Sequence, residues 1–467
     1  MEKVRSIFRW LAPLLAVAIG VTSWQFGMEA PAAITLGIAV LTASWWITEA
    51  VPIPVASLIP IALLPLFGVL KADVVAAKYG NKLILLLLGG FLLSKAMEKS
   101  GAHRRLALYM VRACGGGGGR GLIFGFLLAA AVLSMWISNT ATTLMLLPIA
   151  LAVLDGVRDE KVKIPLLLGI AYASSVGGLG TPIGTPPNLI FMEEYRKASG
   201  IELSFVDWMK YGVPVVLLMV PLIWLWLSRG IRRAEKIELP DTGNWRTEEI
   251  RTLWVFAVVA LAWITRGTFN AETGAGRGWM AWFNLPGAND ASVAFLGVVA
   301  MFLVPSGKKD GSRLLDWETA RDIPWGVILL FSGGMVLAEG FRSSGLSESL
   351  AGFMGGAAAL PIIVLIATVC FFMTFLTEVT SNTASTALMM PILAVAATTN
   401  SIEPALLMLP AALSASCAFM LPVATGPNAV VFGSNRFTVA RMAREGFFLN
   451  LIGVAVVTIC CRLLLKA

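Results

Sequence analysis

Ser138-Asn139-Thr140-Ala141-Thr142-Thr143, followed by Pro148, returns as Ser381-Asn382-Thr383-Ala384-Ser385-Thr386, followed by Pro391, an offset of 243 residues (138 against 381). Two flanking motifs repeat in the same order. Gly89-Gly90 ahead of Lys99-Ser100-Gly101 returns as Gly333-Gly334 ahead of Ser343-Ser344-Gly345, an offset of 244 (89 against 333). Thr185-Pro186-Pro187-Asn188 returns as Thr425-Gly426-Pro427-Asn428, an offset of 240 (185 against 425). Three motifs in one order at nearly one offset mark an internal duplication.

Each triplet interrupts an apolar stretch, at about 122–152 and 358–397. The break leaves two arms of roughly 14–20 residues, mostly too short to cross about 30 Å of hydrocarbon alone. A polar break at that depth is tolerated where it lines a cavity or is buried in protein. Two re-entrant hairpins are therefore expected. The remaining apolar runs fall at about 10–27, 33–50, 53–70, 82–100, 165–192, 211–228, 251–266, 288–305, 322–342, 403–433 and 445–464. The expected fold is an all-α polytopic membrane protein of about 11 transmembrane helices plus the two hairpins. Each half holds five crossings and one hairpin, and an odd number of crossings turns the second copy upside down. The expected organisation is an N-terminal span over 1–32, a first inverted repeat over 33–235 and a second over 250–467.

Composition agrees. Hydrophobic residues make up 57% of the 467 and charged residues 14%, against about 25% charged in soluble domains. The run Ala12 to Phe26 follows Lys3, Arg5 and Arg9 without a small-residue cleavage site, and reads as a retained span. The net charge of +8 could suit nucleic acid, but the basic residues sit between spans, where the positive-inside rule places them. With the N-terminus inside, the cytoplasmic loops hold Arg104, Arg105, Arg112 and Arg120, then Arg158, Lys161 and Lys163. Later ones hold Arg229, Arg232, Arg233 and Lys236, then Lys308, Lys309 and Arg313, then Arg436, Arg441 and Arg444. A multi-pass protein of the inner (plasma) membrane is expected, with lipid as its surroundings and no nucleic-acid partner. Cys114, Cys370, Cys417, Cys460 and Cys461 lack metal-ligand spacing and read as packing residues. His103 is the only histidine, so imidazole or zinc catalysis has almost nothing to use.

The chemistry lies in the breaks. At a hairpin tip the second arm begins with unpaired backbone N–H groups. Ser, Thr and Asn cap such ends, and the same ends attract anions. One Ser-Asn-Thr triplet could serve as glue between helices, but a matched pair brings two helix ends to one place. Gly177-Gly178-Leu179-Gly180-Thr181-Pro182 and Pro422-Val423-Ala424 interrupt spans and free carbonyls from helical partners. Those carbonyls, with hydroxyls and an Asn amide oxygen, suit Na⁺. A proline kink would explain one break but not a matched pair. No Arg, Lys or His lies in these four elements, so a dianion there needs helix ends and co-bound cations.

Glu378 and Glu49 are intramembrane carboxylates. Glu378 reads as a structural partner of backbone or hydroxyl groups, because Met135 holds the matching position, and Glu49 as an interface residue. The run Gly115 to Gly119 lacks the Gly-Lys-Ser/Thr ending of a phosphate loop and reads as a flexible lead into the first hairpin. An intramembrane hydrolase would need a nucleophile–base, paired-Asp or metal constellation, which the spans lack. A channel would conduct in unitary steps without a bound, moving domain.

Ser134-Met135-Trp136-Ile137-Ser138-Asn139-Thr140-Ala141-Thr142, Leu376-Thr377-Glu378-Val379-Thr380-Ser381-Asn382-Thr383-Ala384-Ser385 and the Pro-Asn turns together resemble the divalent-anion:sodium symporter family over nearly the whole chain. The resemblance implies an elevator-type symporter, a homodimer in which a scaffold carries a mobile transport domain holding both hairpins and both broken spans. Within the repeats, the scaffold would run to about 113 and 350, and the transport parts begin at about 120 and 358. It implies at least two co-transported Na⁺, one at Ser134, Ser138, Asn139 and the Gly184 carbonyl, the other at Thr377, Thr380, Asn382 and the Ala424 carbonyl. Substrate carboxylates would meet Asn139, Thr140, Thr185, Asn382, Thr383 and Thr425. The implied cargo is a C4-dicarboxylate such as succinate, malate or fumarate. Dicarboxylate exchange, or citrate or sulfate transport, is the alternative. Gly426 stands where the dicarboxylate carriers have a proline, and is expected to remove bulk beside the substrate.

Overall fold

The computed structural model describes residues 2–115, 118–155, 159–231, 243–269, 276–351 and 361–465. The first half of the chain opens with α1 (Glu2–Gln25), α2 (Ala30–Thr48), α3 (Ile53–Ala56), α4 (Leu58–Leu66), α5 (Ala72–Tyr79), α6 (Lys82–Ser100) and α7 (Ala102–Gly115). It continues with α8 (Gly119–Ser134), α9 (Asn139–Asp155), α10 (Glu160–Gly177), α11 (Pro186–Ser199) and α12 (Phe205–Leu227). The second half opens with α13 (Thr247–Thr265), a ribbon of β1 (Thr268–Phe269) and β2 (Gly276–Arg277), α14 (Gly278–Trp282), α15 (Asp290–Leu303), α16 (Trp317–Ala320), α17 (Trp325–Ser343) and α18 (Leu346–Ala351). It closes with α19 (Ile362–Leu376), α20 (Asn382–Thr399), α21 (Ala405–Ser414), α22 (Gly426–Phe432) and α23 (Val439–Leu464). Apart from the two-residue strands, the described chain is helical, as its apolar runs require.

Among the described residues, seven helical segments are long and apolar enough to cross a membrane. They coincide with seven of the expected spans. The other apolar segments are shorter or interrupted, except α13, which is 19 residues long but carries Glu248, Glu249 and Arg251 in its first turns. The 53–70 segment bends at Ser57 between α3 and α4, and the 403–433 segment is broken between α21 and α22. The breaks fall where glycine, proline and polar residues crowd an apolar run. Arg158, Arg232, Arg233 and Lys236 of the charge pattern lie outside the described residues, as do Gly116 and Gly117 of the glycine run.

Packing is reciprocal between the halves. α6 packs on α15, and its counterpart α17 packs on α4. The repeated glycines make both contacts possible. A Cβ on Gly89 would stand 2.6 Å from Ala294 Cβ, and one on Gly333 would stand 2.3 Å from the Ser57 carbonyl oxygen. α8 packs on α10, as α19 does on α21. α9 packs on α22, and α20 on α11, so the second arm of each hairpin lies against the other half's helix. α12 and α23 pack on each other. α1 packs on α2 and turns an apolar face outward, with Trp10, Leu14, Val17 and Trp24 exposed. The core runs continuously through both halves.

Candidate functional site

The first break is built by short-range chemistry. α8 ends at Ser134, four residues turn, and α9 starts at Asn139. Ser138 caps α9, its Oγ accepting from the Ala141 N–H at 3.2 Å. α10 unwinds at Gly178, and α11 starts after Thr185. The unwound backbone is held by Asn188, whose Nδ2 donates to the Gly178 carbonyl at 2.9 Å and the Thr181 carbonyl at 2.8 Å. Thr181 Oγ1 donates to the Met135 carbonyl and ties the break to the hairpin tip.

These ties gather oxygens around Asn139. Its amide faces Ser134 Oγ at 2.7 Å, the Ser174 carbonyl at 3.2 Å and the Gly184 carbonyl at 3.3 Å. Turned with its nitrogen inward, the amide donates to all three. Turned with its oxygen inward, it receives the Ser134 hydroxyl but opposes two carbonyls. That second arrangement sets the amide oxygen within 2.7, 3.2 and 3.3 Å of three other oxygens, a crowding of like partial charges that a small hard cation would relieve. Gly178 keeps the place open, since a Cβ there would stand 2.6 Å from Asn139 Oδ1 and 3.1 Å from the Gly184 oxygen.

The second break repeats the clamp. Asn428 Nδ2 donates to the Ala418 carbonyl at 3.1 Å and the Leu421 carbonyl at 3.0 Å. Glu378 adds two more ties, accepting from the Met420 N–H at 2.9 Å and the Leu421 N–H at 3.0 Å. Asn450 of α23 donates to Glu378 at 2.7 Å and accepts from the Phe419 N–H at 3.1 Å. Glu378 thus serves the backbone, as its position opposite Met135 suggested.

Other residues of the second set face their own helices. Thr377 Oγ1 donates to the Thr374 carbonyl at 3.1 Å and Thr380 Oγ1 to the Leu376 carbonyl at 2.8 Å. Asn382 Oδ1 is buried without a hydrogen-bond partner. Among the described residues, no hydrogen bond joins Thr377, Thr380, Asn382 and the Ala424 carbonyl to one another. Ser381 makes no side-chain cap on α20, unlike Ser138 on α9. Thr425 caps α22 through the Asn428 N–H at 3.2 Å, whereas Thr185 makes no such bond on α11.

Thr140 lies in the first turn of α9 against Gly426 of the other half. A Cβ at 426 would stand 2.1 Å from Thr140 Oγ1. The room left by the absent side chain is therefore filled by Thr140, contrary to the expectation of extra space beside a substrate. Thr383 occupies the equivalent turn of α20, which packs on α11.

The sequence matches the family model described as CitMHS, citrate transporter, over residues 43–407. The chain belongs to this family. The CitMHS match agrees with the resemblance carried by the triplets, and so do curated relatives. The sodium-dependent dicarboxylate transporter SdcS of Staphylococcus saprophyticus is 37% identical over 96% of this chain and 89% of its own length. SdcS of Staphylococcus aureus is 37% identical over 90% of this chain and 84% of its own. Two solved transporters share the fold. The Alcanivorax borkumensis YdaH transporter superposes with a TM-score of 0.63 at 14% identity, covering 94% of this chain and 98% of its own. Neisseria gonorrhoeae MtrF does so with a TM-score of 0.57 at 13% identity, covering 93% and 95%.

In this CitMHS member a cavity of about 490 Å³ opens onto the first hairpin tip. Ser138, Thr140 and Leu144 form one wall, and Ser94, Lys95 and Glu98 of α6 the facing one. Lys95 pairs with Glu98 at 2.8 Å. No sequence pattern pointed to this vestibule, because its walls come from segments that meet only in the fold. The Ser174 carbonyl escaped for a similar reason: a backbone oxygen has no sequence signature. Glu49 lies apart from the site, paired with Arg5.

Proposed function

We propose that this protein is a sodium-coupled symporter that imports C4-dicarboxylates across the plasma membrane. The observation that carries the reading is the gathering of Ser134 Oγ and the Ser174 and Gly184 carbonyls around the Asn139 amide. Such a gathering suits Na⁺ and offers little to a proton or to a catalytic step. The names of the SdcS relatives support sodium and dicarboxylate as the transported pair.

Sodium and substrate are coupled through Asn139. With Na⁺ present the amide oxygen turns toward it, and the amide nitrogen turns away as a donor for a substrate carboxylate. Without Na⁺ the nitrogen is used inside, and the oxygen left outside repels a carboxylate. Thr140, Asn382 and Thr383, with Thr185 and Thr425, complete the substrate site at the starts of α9, α20, α11 and α22. The second Na⁺ sits at Thr377, Thr380, Asn382 and the Ala424 carbonyl, giving at least two co-transported ions.

The wider reading is an elevator of about eleven spans and two hairpins in two inverted repeats, working as a homodimer with its N-terminus in the cytoplasm. Reciprocal packing of α6 on α15 and α17 on α4 supports the repeat. α8–α12 and α19–α23 form the transport domain, and α2–α7 with α13–α18 the scaffold. Citrate transport is the second reading, favoured by the description of the matching family model.

Uptake into proteoliposomes tests this. Labelled succinate should accumulate on an inward Na⁺ gradient and not on a K⁺ gradient, with malate and fumarate competing better than citrate or sulfate. Uptake driven equally by internal dicarboxylate without Na⁺ would make the protein an exchanger. Stronger competition by citrate would establish the second reading.

A further inference from the structure

Five side chains of alternating charge form a line across three helices. Lys78 of α5 pairs with Glu339 of α17 at 2.8 Å, and Glu339 with Arg342 of the same helix at 3.0 Å. Arg342 reaches Glu194 of α11 at 3.3 Å, and Glu194 pairs with Lys197 at 2.6 Å. Glu194 is 3% exposed, so the line is packed into the protein at its centre. A second ion pair, Lys82 with Glu202, joins the start of α6 to the loop after α11.

Both connections lie at the N-terminal end of α6 or beside it. The vestibule lies along Phe91, Ser94, Lys95 and Glu98, toward the other end of the same helix. Lys82 and Glu98 are separated by about 24 Å at the helical rise. Among the described residues, the ion pairs that join the proposed transport part to the scaffold, Lys82–Glu202 and Arg342–Glu194, therefore lie away from the vestibule.

We propose that the Glu194–Arg342 pair is a conformational latch that holds the vestibule-open arrangement and releases when α11 moves against α17. This rests on the transport reading above, in which α11 belongs to the moving unit and α17 to the fixed one. Three features separate a latch from a permanent staple. The bond between the units is the longest in the line, 3.3 Å against 2.6 Å and 3.0 Å for the bonds within each helix. Each partner also has a counter-ion on its own helix, three residues away, so parting strands neither charge. Buried charges left unpaired would otherwise block the movement. Finally, the line continues to Lys78, which holds Glu339 and so keeps Arg342 aimed at α11.

The test follows labelling of a cysteine placed at Leu144, which lines the vestibule and is 56% exposed. A maleimide should react with it quickly in the purified full-length protein. In Arg342→Gln and Glu194→Gln the reaction should slow about tenfold, as the vestibule-open population falls by that factor. Glu339→Gln, which removes the brace and leaves Glu194–Lys197 intact, should slow it less, and it serves if either first variant fails to fold. Lys210→Gln, which breaks an exposed pair with Asp207 within α12, should leave labelling unchanged. Unchanged or faster labelling in folded Arg342→Gln and Glu339→Gln protein would overturn the latch. The labelling reads movement whatever the cargo. Loss of Na⁺-driven succinate uptake in the unaltered protein would instead overturn the transport reading.

Discussion

Met135 and Glu378 hold equivalent places in the two hairpin tips, yet they secure the breaks by opposite means. Met135 packs its thioether against Gly180, where a Cβ would stand 2.7 Å from its methyl carbon. Glu378 takes two backbone N–H groups and one amide. The difference has a measurable consequence. Glu378→Gln puts an amide NH₂ against a backbone donor, and leaving a buried donor unsatisfied costs about 1–3 kcal/mol. Met135→Leu keeps volume and polarity, and such swaps cost less than about 1.5 kcal/mol. Thermal unfolding in detergent should rank Glu378→Gln below Met135→Leu, and equal melting would show that the carboxylate holds nothing.

Asn139→Asp separates the two cargoes. A carboxylate presents oxygen on both faces, so it keeps the cation site and removes the donor toward substrate. Na⁺ alone should still raise the melting temperature of this variant, while succinate binding by calorimetry should weaken at least tenfold. Normal succinate affinity in Asn139→Asp would defeat the amide-rotation account.

Thr140 and Thr383 should behave alike across the repeat. Thr→Val keeps shape and removes the hydroxyl. A hydrogen bond to a charged group is worth about 1.5–3 kcal/mol, roughly a tenfold to hundredfold change in affinity. Each variant should lose succinate affinity by that factor with little change in melting. Lowered melting with normal affinity in both would reduce these hydroxyls to a structural role.

Gly426→Ala should displace Thr140. The new methyl needs the place that Thr140 Oγ1 fills, so succinate affinity should fall about tenfold, the equivalent of 1.4 kcal/mol. In Thr140→Ala the space is already free, and adding Gly426→Ala should cost nothing further. A double-variant cycle by succinate titration checks this, and additive losses would mean that the two positions do not meet.

The dependence on pH should follow the substrate. Burial holds the His103 imidazole below its usual value, so it is neutral near pH 7. Succinate uptake should fall as the medium is acidified and the monoanion replaces the dianion. His103→Asn should leave that profile in place; a shifted profile would assign the titration to the protein.

Much of this was legible in the sequence, and particular residues show where legibility ended. The triplets marked both tips because polar side chains in hydrocarbon need a reason, while Thr185 and Thr425 entered the substrate site only through the family resemblance and stand at the starts of α11 and α22. Asn188 and Asn428 stood out only as the ends of the repeated turns, and in the fold each spends its amide nitrogen on two carbonyls of the unwound segment. Spacing cannot tell which face of an amide is used. Ser138 and Ser381 share a motif but not a cap, since capping depends on a side-chain rotation that neighbours decide. The vestibule joins Ser94 to Ser138, and the line of charges joins Lys78 to Glu339 and Glu194 to Arg342, separations for which a single sequence carries no signal.

The second arm of each hairpin lies against the other half, α9 on α22 and α20 on α11. During synthesis, then, the first half leaves the ribosome with the faces of α9 and α11 uncovered and its oxygen-lined break unsupported. It can insert, but it cannot finish folding until the last helices arrive. Separate half-chains should therefore be degraded when made alone and recover when made together, and the protein matures as one cooperative unit rather than as two successive ones.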